Sequence, residues 1–107
     1  MVDLLTSSIE HPSSLAVEPL SGFIFWCDLG TVPRIERAGL AGEDRKVIVK
    51  DYIVRPVGLC VDAVQLRIYW VDDRLHSLST SKYDGTALST LLSLPHSLRK
   101  VQIMRIA

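Results

Sequence analysis

Phe25-Trp26-Cys27-Asp28 returns 44 residues later as Tyr69-Trp70-Val71-Asp72. Upstream, Pro12-Ser13-Ser14-Leu15-Ala16-Val17-Glu18 returns in the same register as Pro56-Val57-Gly58-Leu59-Cys60-Val61-Asp62. A period in the forties, built of short apolar runs and closed by an aromatic–aspartate signature, predicts the blades of a β-propeller. Apolar alternation and turn chemistry read as strands throughout, with no helical stretch. Each repeat yields four strands. The first repeat places them at Ser13–Glu18, Gly22–Asp28, Arg34–Leu40 and Lys46–Lys50, and the second at Val57–Asp62, Arg67–Asp72, His76–Tyr83 and Ala87–Ser93.

The breaks between strands have local causes. Pro19-Leu20-Ser21-Gly22 is a turn cluster, and Ala63-Val64-Gln65-Leu66 fills the same place in the second repeat. Asp84-Gly85 is a strong two-residue hairpin signal because Asp and especially Gly tolerate positive φ; Ala41-Gly42 holds the matching place more weakly. One residue is deleted between Asp72 and Leu78 relative to the segment between Asp28 and Ile35, so a loop absorbs the change. Val2-Asp3-Leu4-Leu5 aligns 44 residues before Lys46-Val47-Ile48-Val49 and reads as the last strand of a preceding blade. The expected organisation is a strand and linker over residues 1–10, blades over 11–54 and 55–94, and a divergent tail over 95–107. The fold class is all-β: two four-stranded blades, incomplete as a ring.

Composition narrows the function. The 107 residues carry 12 basic and 12 acidic side chains, with no basic stripe of the kind that tracks nucleic acid. Arg99, Lys100 and Arg105 concentrate positive charge at the end, leaving residues 1–98 with 9 basic against 12 acidic groups. No apolar run approaches the ~20 residues that span a bilayer. An early acid and the lack of a basic segment near Met1 do not fit a secretory signal. There is no asparagine, hence no N-glycosylation sequon. Cys27 and Cys60 make no disulfide framework and read as buried free thiols.

Alternate side chains of a strand face opposite sides of its sheet. Phe25 and Cys27 therefore share one face and Trp26 and Asp28 the other, and Tyr69 and Trp70 divide likewise. Aromatics on both faces suit a blade covered by a neighbour on each side. The aspartate closes the strand, where its carboxylate can accept N–H bonds from the following turn. Phe25, Trp26, Asp28, Tyr69, Trp70, Asp72, Asp84 and Gly85 are thus expected to be structural.

Tyr69-Trp70-Val71-Asp72, preceded by Pro56-Val57-Gly58-Leu59-Cys60-Val61-Asp62 and followed by Tyr83-Asp84-Gly85, resembles the YWTD repeat. That repeat builds the six-bladed propellers of the low-density lipoprotein receptor family. The resemblance covers about residues 1–98. Phe25 stands for the tyrosine, Cys27 and Val71 for the threonine, and Leu40-Ala41-Gly42 for the usual Leu-Asp-Gly. The resemblance implies an ectodomain segment of an endocytic or Wnt co-receptor type, on the extracellular face of the plasma membrane. It implies secreted protein ligands, and it makes this chain a fragment or truncated product of a parent receptor.

No enzyme signature competes with that reading. His11, His76 and His96 lack metal-ligand spacing, so neither a metal nor a cofactor is expected. Asp72 and Asp73 point to different sides of a strand, which argues against a catalytic dyad. The alternative of a calcium-dependent propeller hydrolase needs ligands from several blades around a ring. Binding is expected at the end of the blades that collects Leu29–Arg34, Asp51–Arg55 and Asp73–Leu75, with Arg34, Tyr52, Arg55, Asp73, Arg74 and His76 as the candidate protein-binding residues. Two uncovered blade faces also raise self-association, three chains completing six blades, and a decoy role.

Overall fold

The computed structural model describes residue 9 and residues 11–93. The strand expected at residues 2–5, the tail at 95–107 and His96 lie outside them. The described residues form eight strands and no helix: β1 (Pro12–Glu18), β2 (Phe23–Asp28), β3 (Arg34–Gly39), β4 (Lys46–Val49), β5 (Pro56–Asp62), β6 (Arg67–Asp72), β7 (Ser77–Lys82) and β8 (Ser89–Ser93). They make two antiparallel meanders, β1-β2-β3-β4 and β5-β6-β7-β8. Strand positions match the sequence expectation to within two residues. The trimmed ends have a backbone cause: Gly22, His76 and Ala87 take positive φ of 78°, 53° and 55° and so belong to turns.

The two blades repeat in irregularities as well as in strands. Ser13 bulges out of the β1–β2 ladder and Val57, 44 residues on, out of β5–β6. Ile48 and Leu91 bulge at matching places in β4 and β8. The deleted residue falls in the loop between the second and third strands, 29–33 in the first blade and 73–76 in the second.

Pleating sorts the apolar residues into two faces of each blade. Phe25, Cys27, Ile35 and Val49 of the first blade meet Leu59, Ile68, Trp70 and Tyr83 of the second in one core, with Ile53 of the connector. Phe25, Ile68 and Trp70 are fully buried there. Each such side chain contributes about 1.5–3 kcal/mol on transfer from water. The opposite face of the first blade holds Ile24, Trp26 and Ala38, with Ile9 against them. Tyr69, Val71 and Leu78 on the far face of the second blade are only half-buried, and Leu91 and Leu92 of β8 are exposed.

Directional contacts lock the blades together. The Tyr83 ring sits 5.0 Å from that of Phe25 and 5.9 Å, edge-on, from that of Phe23. Its hydroxyl donates to Glu18 Oε2 at 3.2 Å, and Arg37 donates to the Tyr83 carbonyl at 2.8 Å while stacking over Phe23. Ser13 Oγ donates to the Pro56 carbonyl at 2.7 Å. Behind Tyr83, Asp84 accepts from the Thr86 amide and hydroxyl and closes the turn. Gly85, at φ 87°, passes so close to the Ile48 carbonyl of β4 that a Cβ there would collide with backbone.

Gly85→Ala therefore combines a left-handed backbone with a clash between blades, and is expected to lower stability by about 3 kcal/mol in urea unfolding. Gly22→Ala, at φ 78° with open space around the Cβ position, should cost only about 1 kcal/mol. Equal losses would show that the contact with Ile48 is unimportant.

Candidate protein-binding surface

The surface is built from the two aspartates that end β2 and β6. Both carboxylates are fully buried. Asp28 Oδ1 accepts from the amides of His11 at 2.8 Å and Gly30 at 2.9 Å. Asp72 Oδ1 accepts from Arg74 and Leu75, at 3.0 and 2.9 Å, and Oδ2 from Val54 and Arg55, at 2.7 and 3.1 Å. One carboxylate thus ties the segment that leads into a blade to the loop that leaves its second strand. Backbone bonds run alongside, from Leu29 N to the His11 carbonyl at 2.8 Å and from Asp73 N to the Arg55 carbonyl at 3.0 Å. A buried carboxylate needs such donors, because without them the charge would be neutralised or expelled.

The connector between blades, residues 50–55, inherits this rigidity. Ile53 is buried in the inter-blade core and Val54 and Arg55 are held by Asp72. Tyr52, between solvent and these anchors, is 81% exposed at φ 59°. Arg55 pairs with Asp73 at 3.4 Å, both side chains about half exposed, a geometry worth no more than about 1 kcal/mol. Arg74 is exposed and lies on the turn that its own amide closes onto Asp72. Between the two blades opens a groove of about 340 Å³ lined by His11, Leu29, Val54, Arg55 and Arg74.

The structure brings Arg55, Asp73 and Arg74 together and sets Tyr52 on the adjoining connector. His76 is half-buried at the end of the 73–76 loop. Arg34 stands apart. Its guanidinium donates to Asp28 Oδ2 at 3.0 Å, to Glu36 Oε2 at 2.8 Å and to the Val32 carbonyl at 3.0 Å. Arg45 closes the cluster on Glu36 at 2.9 Å and lies over the Trp26 ring. Glu36 and Asp28 are buried, so Arg34 compensates charge inside the blade rather than offering it to a partner. Leu29 and Val54 lie in segments the sequence assigns to this end, though not among its candidate contacts, whereas His11 lies outside them. For His11 a signal existed, since it stands 44 residues before Arg55 in the repeat frame.

Burial also sets the protonation chemistry. It pushes the Cys27 thiol up to about 12, which leaves it inert, and raises that of half-buried Cys60; both thiols are free. The Tyr83 phenol is pushed up to about 12 by burial and then by the charge of Glu18. Among the described residues no group of three His, Cys, Asp or Glu side chains could hold a metal ion. No helix among them is long and apolar enough to cross a membrane.

A family model for the low-density lipoprotein receptor repeat class B matches residues 22–63, from β2 of the first blade through β5 of the second. Residues 22–63 carry a low-density lipoprotein receptor class B repeat. It is 45% identical over 84 residues to the vitellogenin receptor Yl of Drosophila melanogaster, a match over 78% of this chain and 4% of that protein. It is 32% identical over 98 residues to the human low-density lipoprotein receptor-related protein 5-like protein, over 90% of this chain and 39% of that one. A chain in the crystal structure of a nidogen/laminin complex superposes with a TM-score of 0.72 at 28% identity, over 77% of this chain and 31% of that one. The class B repeat chain therefore spans well under half the length of each of these proteins. The Drosophila relative is named a vitellogenin receptor.

Removing the carboxylate in Asp72→Ala orphans four amides on two loops, and should lower stability by about 2–4 kcal/mol in urea unfolding, whereas Asp73→Ala should change it by no more than about 0.5 kcal/mol. A small effect at Asp72 would contradict the stapling role. A phenol whose folded value is raised contributes stability that is intact below about 10, its ordinary value, and is lost as pH climbs through about 12. The chain should therefore weaken over that window, with a late phenolate absorbance from Tyr83. Tyr83→Phe should abolish the late step; its persistence would assign the step to another residue.

Proposed function

We propose that this chain is a protein-ligand-binding segment of a lipoprotein-receptor-type ectodomain, acting on the extracellular face of the plasma membrane as two blades of a longer ring. Residues 11–54 and 55–94 are its blades, and the loop end carrying Tyr52, Arg55, Asp73, Arg74 and His76 is the contact surface. One observation carries the reading: an 81% exposed tyrosine stands on a connector pinned by a buried isoleucine and a buried aspartate. An aromatic displayed on a rigid support loses little entropy on binding and has the chemistry of an interface anchor. The half-buried face of Tyr69, Val71 and Leu78 supports placement beside a further blade.

The ligand class follows the nearer of the two curated relatives described above. The one at 45% identity is named a vitellogenin receptor, and this favours an endocytic role in lipoprotein capture over a Wnt co-receptor role. The test is surface plasmon resonance with the 107-residue chain immobilised and vitellogenin injected. Saturable binding is expected, and Tyr52→Ala should raise Kd about tenfold or more. Binding that is absent, or unchanged in the Tyr52→Ala chain, would overturn the proposal.

A further inference from the structure

We infer that the groove between the blades is a carboxylate-accepting subsite, and that the segment it takes is an acidic peptide with an apolar neighbour beside the acid. This deepens the binding reading above and rests on it. The groove of about 340 Å³ lies at the small end of ligand pockets, with room for one or two side chains. Its walls are chemically one-sided. Its polar lining residues are Arg55, Arg74 and His11, none of them acidic, and its apolar ones are Leu29 and Val54.

Three carboxylates of the strand ends and loops beside the groove are already committed. Asp72 is buried and held by loop amides, Asp28 is buried and held by loop amides and Arg34, and neither is a wall of the groove. Asp73 holds Arg55 at 3.4 Å in a solvent-exposed pair that a better-placed carboxylate can displace. Among the described residues no carboxylate is paired with the Arg74 side chain. A guanidinium fork fits a carboxylate in two parallel hydrogen bonds, which favours an aspartate or glutamate side chain as occupant. A sulfated polysaccharide fits less well, since it needs a longer basic track and the whole chain is formally neutral. The amides of Val54, Arg55 and Arg74 are all fixed by Asp72, so the backbone that carries the two arginines is held without the ligand.

The experiment is fluorescence anisotropy with the full chain and a fluorescein-labelled hexapeptide of alternating glutamate and leucine, against its glutamine counterpart and a heparin hexasaccharide. The glutamate peptide should bind at least about tenfold more tightly than the glutamine peptide, the difference expected for a charge-assisted pair. Arg74→Gln and Arg55→Gln should each remove most of that preference, and Asp73→Asn should tighten binding several-fold. Both arginines are exposed, so thermal unfolding should be unchanged in the variants. Equal binding of the two peptides, full preference in the Arg55→Gln/Arg74→Gln double variant, or tighter binding of the heparin hexasaccharide would each overturn the inference. Vitellogenin binding separates the two levels. If Tyr52→Ala weakens it while the double variant binds normally, the groove assignment fails and the surface reading stands. If the peptide preference holds but vitellogenin never binds, the ligand reading fails and the groove stands.

Discussion

A carboxylate sealed at the end of the second strand governs this chain. Asp28 and Asp72 each lie where solvent does not reach, and each is tolerable there because loop amides converge on it, joined at Asp28 by the Arg34 guanidinium. The same convergence fixes the segment entering the blade and the turn leaving it, which are 17 or 18 residues from the aspartate on one side and two or three on the other. Loops at a propeller end would otherwise be free to fluctuate, and a surface made of them would lose entropy on binding. The residue that completes the aromatic–aspartate signature is thus structural in its chemistry and functional in its consequence.

Packing between blades decides which residues remain for binding. Face by face, the first blade offers Phe25 and Cys27 to the Ile68 and Trp70 side of the second. Tyr83 crosses this boundary, filling apolar space with its ring and meeting Glu18 with its hydroxyl. Where the second blade packs small serines at 77, 79 and 81, the first places Arg34, Glu36 and Ala38. The Arg34–Glu36–Arg45 cluster lies on the side of the first blade turned away from the second, where Arg45 covers the Trp26 ring. The repeat is constant in backbone and varies in how each face is covered.

Most of the architecture was legible because it is written in local chemistry. Strand alternation and the one-residue deletion before β7 are visible within a few residues of sequence, and the structure places them as read; the turn at Asp84-Gly85 is there too, but inside a six-residue connection, 83–88, in which Gly85 and Ala87 rather than Asp84 take positive φ. The bulges at Ser13 and Val57 were not visible, since nothing in their side chains distinguishes them from ladder residues. The aspartate's reach into the following turn was expected; its grip on the preceding connector was not, because that bond is tertiary. Arg34 shows the same limit. As a loop arginine it read as a candidate contact, yet two buried carboxylates that pairing in three dimensions brings to it claim its guanidinium. The groove wall at His11 and Arg55 was encoded in the 44-residue frame, but only the curvature between blades makes it a wall.

Amide hydrogen exchange on the intact chain tests the central claim most directly. Val54, Arg55, Arg74 and Leu75 lie in connections rather than strands, and Val54 is 46% exposed. If buried carboxylates organise the loop end, these four amides exchange as slowly as those of β6, because both are released only when the blade opens. Exchange at the rate of an unstructured loop, with β6 still protected, would show that the aspartates do not hold the surface and would contradict the account.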